Sequence, residues 1–435
     1  MNYKKYRPVA SLEMPERNWP DKRISTAPIW CSVDLRDGNQ SLPVSMSMDR
    51  KLKLFKLLCD IGFKEIEVAF PSSCESEYRF VRHLIENNLI PEDVTIQVIT
   101  QTRSDLIKRT IDSLMGVKRA IINFYLPTSP VQRRMVFKKS RQEMIELAKR
   151  GAEFLKKQTR RLSGSEIRFL FAPESFSLTE PEFAVQICEE VVTVMEATVN
   201  NKIILNLPSS MEVSTPNIFA DRVEWFIKNL KNRDAAIISI HTHNDRGTAV
   251  ASTELALLAG AERVEGTLFG FGERAGNADI LTLALNLLSE GIDPCLDLSD
   301  IRTTKATVEE CTGYRVHERH PYAGELVFKT FAGSHQDAIK KTLRITERSP
   351  FWNIPYLIID PSDIGRQDEE IIGINSQSGG SGISYVLKKY KNIVLHKDIC
   401  SRIIKELKSI HLTESHEIAP EKICTIAERY ISSNL

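Results

Sequence analysis

The sequence predicts an α/β protein built on a (β/α)8 barrel, with an appended, mainly helical C-terminal region. Three observations predict it. Eight strand-then-helix units follow one another over about 260 residues with no antiparallel interruption. No Gly-x-Gly-x-x-Gly opens a helix after an early strand, so an open dinucleotide-binding sheet lacks its motif; Gly270-Phe271-Gly272 comes late and lacks that context. Polar residues recur at the C-terminal ends of the predicted strands, which is the catalytic face of such a barrel.

Residues 1–27 are polar and proline-punctuated and read as an irregular arm. Strands are expected at 29–35, 65–70, 94–100, 119–125, 166–171, 202–207, 236–240 and 263–268, each a short apolar or β-branched run. Helices are expected at 49–61, 75–87, 104–115, 140–161, 180–199, 215–229, 248–261 and 279–289. Ser104 stands as an N-cap, and Pro181 and Pro216 lie just inside helix starts. The barrel domain therefore covers 28–295. Residues 296–435 read as linker subdomains and C-terminal helices, an appended helical region to which the resemblance named below assigns a share of the active site. They hold a helix at 300–313, a helix opened by Gly333-Ser334-His335-Gln336-Asp337, a Gly/Ser turn region at 373–382, and two terminal helices at 397–410 and 420–432.

Composition bounds the function. The 58 basic and 57 acidic residues nearly cancel, which argues against a general nucleic-acid or membrane-surface binder. No apolar run is long enough to span a bilayer, and the first residues lack the apolar segment of a secretory signal. The eight cysteines form no Cys-x-x-Cys pair and read as reduced thiols of a cytoplasmic protein.

The chemistry starts at His241-Thr242-His243-Asn244-Asp245-Arg246-Gly247. Side chains at i and i+2 of a strand point the same way, so His241 and His243 aim two imidazoles at one point, as a metal centre requires. Two surface or capping histidines are the plainer alternative. Asp37, Glu174 and Asn206 fall at equivalent strand ends. Read singly, they are a turn cap, a surface charge and a satisfied buried amide; with the histidines they converge on one site.

The stretch Ser32-Val33-Asp34-Leu35-Arg36-Asp37-Gly38-Asn39-Gln40, the His-x-His-Asn-Asp-Arg-Gly element and Gly272-Glu273-Arg274-Ala275-Gly276-Asn277 together resemble the 2-isopropylmalate synthase family. These enzymes belong to the Claisen-condensing TIM barrels. The resemblance extends through Tyr6-Arg7-Pro8, Gln132-Arg133-Arg134, residues 331–336 and Asn375-Ser376-Gln377-Ser378-Gly379, and it is greatest for the longer branch of the family. It implies a divalent metal ion held by Asp37, His241, His243 and Asn277. Mg²⁺, Mn²⁺ and Zn²⁺ all suit that set. It implies condensation of acetyl-CoA with a 2-oxo acid, 3-methyl-2-oxobutanoate in leucine biosynthesis, with Arg36 stabilising oxyanion charge. Glu174 and His335 are implied as the proton-abstracting unit with Tyr356 nearby, in a homodimer. The 2-oxo acid pocket departs from the family pattern: Asn123 replaces a histidine, Leu126-Pro127 a more polar pair, Ala172 a serine, Ser210 a threonine and Phe271 an asparagine, while Asn206 is retained. Three alternatives follow: the same reaction on a different 2-oxo acid in a specialised pathway, a metal-dependent aldolase or lyase without CoA, and a non-catalytic homologue. The longer branch carries a C-terminal leucine-binding regulatory domain, and the end at Leu435 leads to the expectation of an enzyme without it and without leucine inhibition.

Overall fold

A computed structural model describes residues 2–5, 7–9, 12–346, 350–367, 371–375, 378–411 and 419–432. Eight parallel strands close into a barrel in chain order. They are β1 (Ile29–Ser32), β2 (Glu65–Ala69), β3 (Thr95–Gln101), β4 (Arg119–Pro127), β5 (Glu166–Glu174), β6 (Ile203–Ser209), β7 (Ala236–Thr242) and β8 (Arg263–Gly266). Closure is made by β1, which pairs with β8 from Ile29 opposite Arg263 to Ser32 opposite Gly266. The strands read as near-continuous apolar runs because both faces are covered: the axis lies on one side and a helical ring on the other. Every residue of β2 and β6 is buried.

The ring consists of α1 (Met48–Ile61), α2 (Glu75–Glu86), α3 (Ser104–Ser113), α4 (Arg141–Thr159), α5 (Pro181–Val194), α6 (Pro216–Asn229), α7 (Ala249–Leu258) and α8 (Ile280–Ser289). Local chemistry fixes several starts. Ser140 and Glu143 form a capping box at α4, and Asp279 accepts the Leu281 N–H at 3.1 Å to cap α8. Pro181 and Pro216 occupy first helical positions, as expected. Ser104 does not cap α3; it is the first helical residue, and Arg103 occupies the cap position. The N-terminal arm is tied to α6: Arg17 donates to Asp221 at 2.5 and 2.7 Å, and the Trp19 indole donates to Asp221 at 2.8 Å.

Strand ends differ from expectation where the site begins. β1 stops at Ser32 because Asp34–Gly38 winds into a single wide π turn. β5 instead runs on to Glu174, whose carbonyl accepts from the Thr128 N–H and hydroxyl, both at 3.0 Å.

Residues 1–297 and 306–315 form one compact unit; 298–305 and 316–435 form a second. Helix α9 (Ile301–Thr312) is divided between them. The second unit contains α10 (Gly333–Thr346), α11 (Gly380–Lys391), α12 (Lys397–His411) and α13 (Pro420–Ser432). Its core is aliphatic, with Ile374, Ile383, Leu387, Ile403, Ile423 and Ile426 packed together. The turn expected across 373–382 ends early, because α11 starts at Gly380. Its glycines serve close approach: a Cβ on Gly382 would meet the Gln336 side chain at 2.2 Å, and one on Gly333 the Gly379 backbone at 2.9 Å. Gln336 donates to the Gly373 carbonyl at 2.7 Å, holding the start of the 373–379 turn; Ser376 and Gln377 of that motif, like Tyr6, lie outside the described residues. Among the described residues, no helix is long and apolar enough to cross a membrane.

Candidate metal centre and active-site cavity

The C-terminal ends of the strands surround a cavity of about 260 Å³. Nine residues singled out from the sequence line it: Arg36, Asp37, Asn123, Ala172, Glu174, Asn206, Ser210, His241 and His243. The barrel brings them together from two depths: Asn123 and Asn206 lie within β4 and β6, whereas Ala172, Glu174 and His241 lie near the ends of β5 and β7, and Arg36, Asp37, Ser210 and His243 lie in the segments just beyond their strands.

One ligand atom from each of Asp37, His241 and His243 falls within 4.8 Å of the others. The Nε2 of His241 lies 3.0 Å, and that of His243 3.6 Å, from one oxygen of Asp37. Asn277 joins them through the backbone, where residues His243 and Asn277 pair in an isolated antiparallel bridge. Its Nδ2 donates to the Phe271 carbonyl at 3.2 Å, while its Oδ1 is buried without a hydrogen-bond partner. A buried, orphaned amide oxygen on the residue paired with His243 is a hard donor that would add to the two imidazoles and the carboxylate a divalent cation uses. The loop carrying Asn277 admits no side chain at two points. A Cβ on Gly272 would stand 2.1 Å from the Asn277 amide nitrogen, and one on Gly276 1.9 Å from the Gly270 carbonyl oxygen.

Electrostatics differ sharply between the two histidines. Burial opposes charge on His241, but hydrogen bonds with Asp37 and Glu265 outweigh it and push its pKa up to about 9. Burial, then the neighbouring His241 charge, lowers His243 to about 4. Burial also acts against the Asp37 carboxylate, yet Arg36 and His241 hold it well below the usual range.

Arg36 is clamped by Glu67, to which its Nε donates, and its guanidinium stands 3.5 Å from Asp37. Burial raises the Glu174 carboxyl above the ordinary glutamate value, opposed by a hydrogen bond from Gln132. Asn123 donates to Glu67 at 3.1 Å and Asn206 to Glu265 at 2.9 Å. Ala172 belongs to a small apolar patch with Ile121, Leu170 and Ile204. The Ser210 hydroxyl accepts the Ser175 N–H at 2.9 Å. His335 and Tyr356 belong to the second unit, where their rings stack with centroids 3.8 Å apart and Tyr356 is largely exposed.

Sequence reasoning missed Glu67, Gln97, Arg263 and Glu265, and it named Gln132 only within a motif of the resemblance. The first four carried a signal: charged or amide residues at alternate positions inside apolar strands, pointing into the barrel.

A family model described as HMGL-like matches residues 27–308, and one described as alpha-isopropylmalate synthase, post-catalytic domain-like, matches residues 325–388. The 2-isopropylmalate synthase of Clostridium acetobutylicum is 52% identical over 427 residues, covering 97% of this chain and 76% of that protein. The 2-isopropylmalate synthase of Rhodospirillum rubrum is 49% identical over 434 residues, covering 99% and 78%. Among solved structures, the hydroxymethylglutaryl-CoA lyase from Pseudomonas aeruginosa superposes with a TM-score of 0.54 at 16% identity, covering 67% of this chain and 95% of that one. The HMG-CoA lyase from Brucella melitensis gives 0.52 at 15%, covering 67% and 100%. At such identity these lyases share the fold alone.

Proposed function

The chain belongs to the 2-isopropylmalate synthase family, and on that premise we propose that it condenses acetyl-CoA with a 2-oxo acid, 3-methyl-2-oxobutanoate by preference, to give 2-isopropylmalate and CoA. It is an acyltransferase whose acyl group becomes alkyl on transfer. The observation that supports this reading is the cluster of Asp37, His241 and His243 on the wall of a cavity also lined by Arg36 and Glu174, with Asn277 paired through the backbone to His243.

Those four residues would hold a divalent ion, Mg²⁺, Mn²⁺ or Zn²⁺, which supplies Lewis-acid polarisation of the 2-oxo acid carbonyl. Arg36, fixed by Glu67, stabilises negative charge growing on that oxygen. Glu174 removes a methyl proton from acetyl-CoA, and its raised pKa suits a base working nearer neutrality. The resulting enolate attacks the keto carbon, and hydrolysis of the thioester frees CoA and makes the step irreversible. His335 completes the proton-abstracting unit with Tyr356 nearby, roles that rest on the family resemblance. Asn123, Ala172, Asn206 and Ser210 shape the space for the acid's side chain. A homodimer working on small soluble substrates in the cytoplasm fits these roles, with neither nucleic acid nor membrane as partner.

A second reading, the same condensation on another 2-oxo acid, draws on two observations: the Asn123 amide is tied back to Glu67, and Ala172 offers the cavity a methyl group. Changes of this size alter discrimination by about 1–3 kcal/mol. The test is release of CoA thiol with acetyl-CoA and a panel of 2-oxo acids. Release that requires both substrates and is fastest with the branched apolar acid is expected. Release fastest with another acid supports the second reading. Turnover that ignores acetyl-CoA, or none with any acid, sinks the condensation itself.

A further inference from the structure

We propose that Glu265 is a positioning residue that sets the ring orientation and tautomer of the metal ligand His241 and, through the same oxygen, the direction of the cavity amide Asn206. The proposal rests on the reading of Asp37, His241, His243 and Asn277 as a metal centre.

Glu265 lies on β8 and is 1% exposed. Its two oxygens face different groups. Oε1 accepts from Arg263 Nη1 at 2.8 Å and from Gln97 Nε2 at 2.9 Å. Oε2 makes a 3.0 Å hydrogen bond with His241 Nδ1 and accepts from Asn206 Nδ2 at 2.9 Å. A residue kept only as counter-ion to the buried Arg263 needs Oε1 alone. Oε2 is spent on the site. A carboxylate accepts and does not donate, so it draws the imidazole proton to Nδ1 and leaves Nε2, the atom turned to Asp37, free to bind a cation. It likewise forces the Asn206 amide to present its NH₂ inward.

The arrangement recurs one strand pair away. Glu67 accepts from Arg36 through Oε1 and from Asn123 through Oε2, at 3.1 Å for the amide. Gln97 donates to both carboxylates, 2.5 Å to Glu67 and 2.9 Å to Glu265. Arg36 and His241 thus each share a buried carboxylate with one cavity amide, and one glutamine ties the two carboxylates together.

The test is Mn²⁺ binding to the apo full chain by calorimetry, with the KM for the 2-oxo acid measured alongside. Loss of an outer hydrogen bond to a ligand costs about tenfold to a hundredfold in metal affinity. Glu265→Gln is expected to weaken Mn²⁺ binding by that factor and to raise KM. Glu265→Asp keeps the charge facing Arg263 but shortens the reach to His241, and it serves if the glutamine variant does not fold. A folded variant that binds Mn²⁺ as the wild type does overturns the proposal. A readout free of variants is the histidine ¹⁵N–¹H spectrum of the Zn²⁺-loaded wild type. A slowly exchanging Nδ1–H on His241 is expected; a proton on Nε2, or one exchanging like that of an exposed imidazole, overturns it. A wild type that binds no Mn²⁺ instead refutes the metal-centre reading beneath it.

Discussion

Inside the barrel, Glu65, Glu67, Gln97, Arg263 and Glu265 are buried together and hydrogen-bonded to one another; in the second unit, the space between α11, α12 and α13 is filled by isoleucine, leucine, valine and alanine. Both interiors exclude water, but only one is directional. Aliphatic packing tolerates sideways adjustment, and its strength follows buried area and volume. A saturated network of charges fixes the angle of every member and is costly to break by halves. The chain places the directional interior directly beneath the residues whose orientation matters, so damage to the two interiors should separate cleanly into loss of chemistry and loss of stability.

The sharpest separation is expected from Asp37→Ala. It removes the carboxylate shared by both imidazoles, and CoA release should fall by about a thousandfold or more, several kcal/mol of lost charge stabilisation, with Mn²⁺ binding abolished and a cooperative thermal melt retained. Retained activity would overturn the metal assignment. Next comes Glu174→Gln, expected to lower kcat/KM by about 10²–10⁴-fold. A base acts deprotonated. Because burial raises the Glu174 pKa, wild-type activity should fall as pH drops through a value above the ordinary glutamate range. That acidic limb should vanish from the pH profile of the variant; a limb that persists assigns the base elsewhere. The smallest effect on chemistry belongs to the other interior. Leu387→Ala, at a fully buried position, should cost about 2–5 kcal/mol in denaturant unfolding while leaving the Mn²⁺ Kd and the 2-oxo acid KM unchanged. A shift in that Kd would break the proposed division.

Much of the barrel was legible in the sequence because parallel strands covered on both faces leave near-continuous apolar runs, such as Ile203 to Leu207 broken only by Asn206, and helices announce themselves by caps and early prolines. The ends were less so. Nothing local distinguishes Val33 and Leu35 as buried turn residues rather than strand, since the π turn at Asp34–Gly38 is held by contacts far away, including the Leu268 N–H donating to Asp34. Helix α11 was hidden because its glycines look like a turn until the Gln336 side chain is seen against Gly382. His241, His243 and Asp37 stood out as polar groups at strand ends. Glu67 and Glu265 did not, for a carboxylate in mid-strand declares its purpose only once the opposite wall of the barrel is in place.

The ring of Phe271 stands where a side chain at position 38 would go: a Cβ on Gly38 would come within 2.5 Å of it. Gly38 follows Asp37, a proposed metal ligand, and the Phe271 carbonyl accepts from the Asn277 amide. Two distant stretches of the gene are therefore locked to each other. A larger residue at 38 requires the ring at 271 to move or shrink, and a ring that moves disturbs the stretches that carry both proposed oxygen ligands. In related sequences glycine is expected at 38 wherever 271 is aromatic.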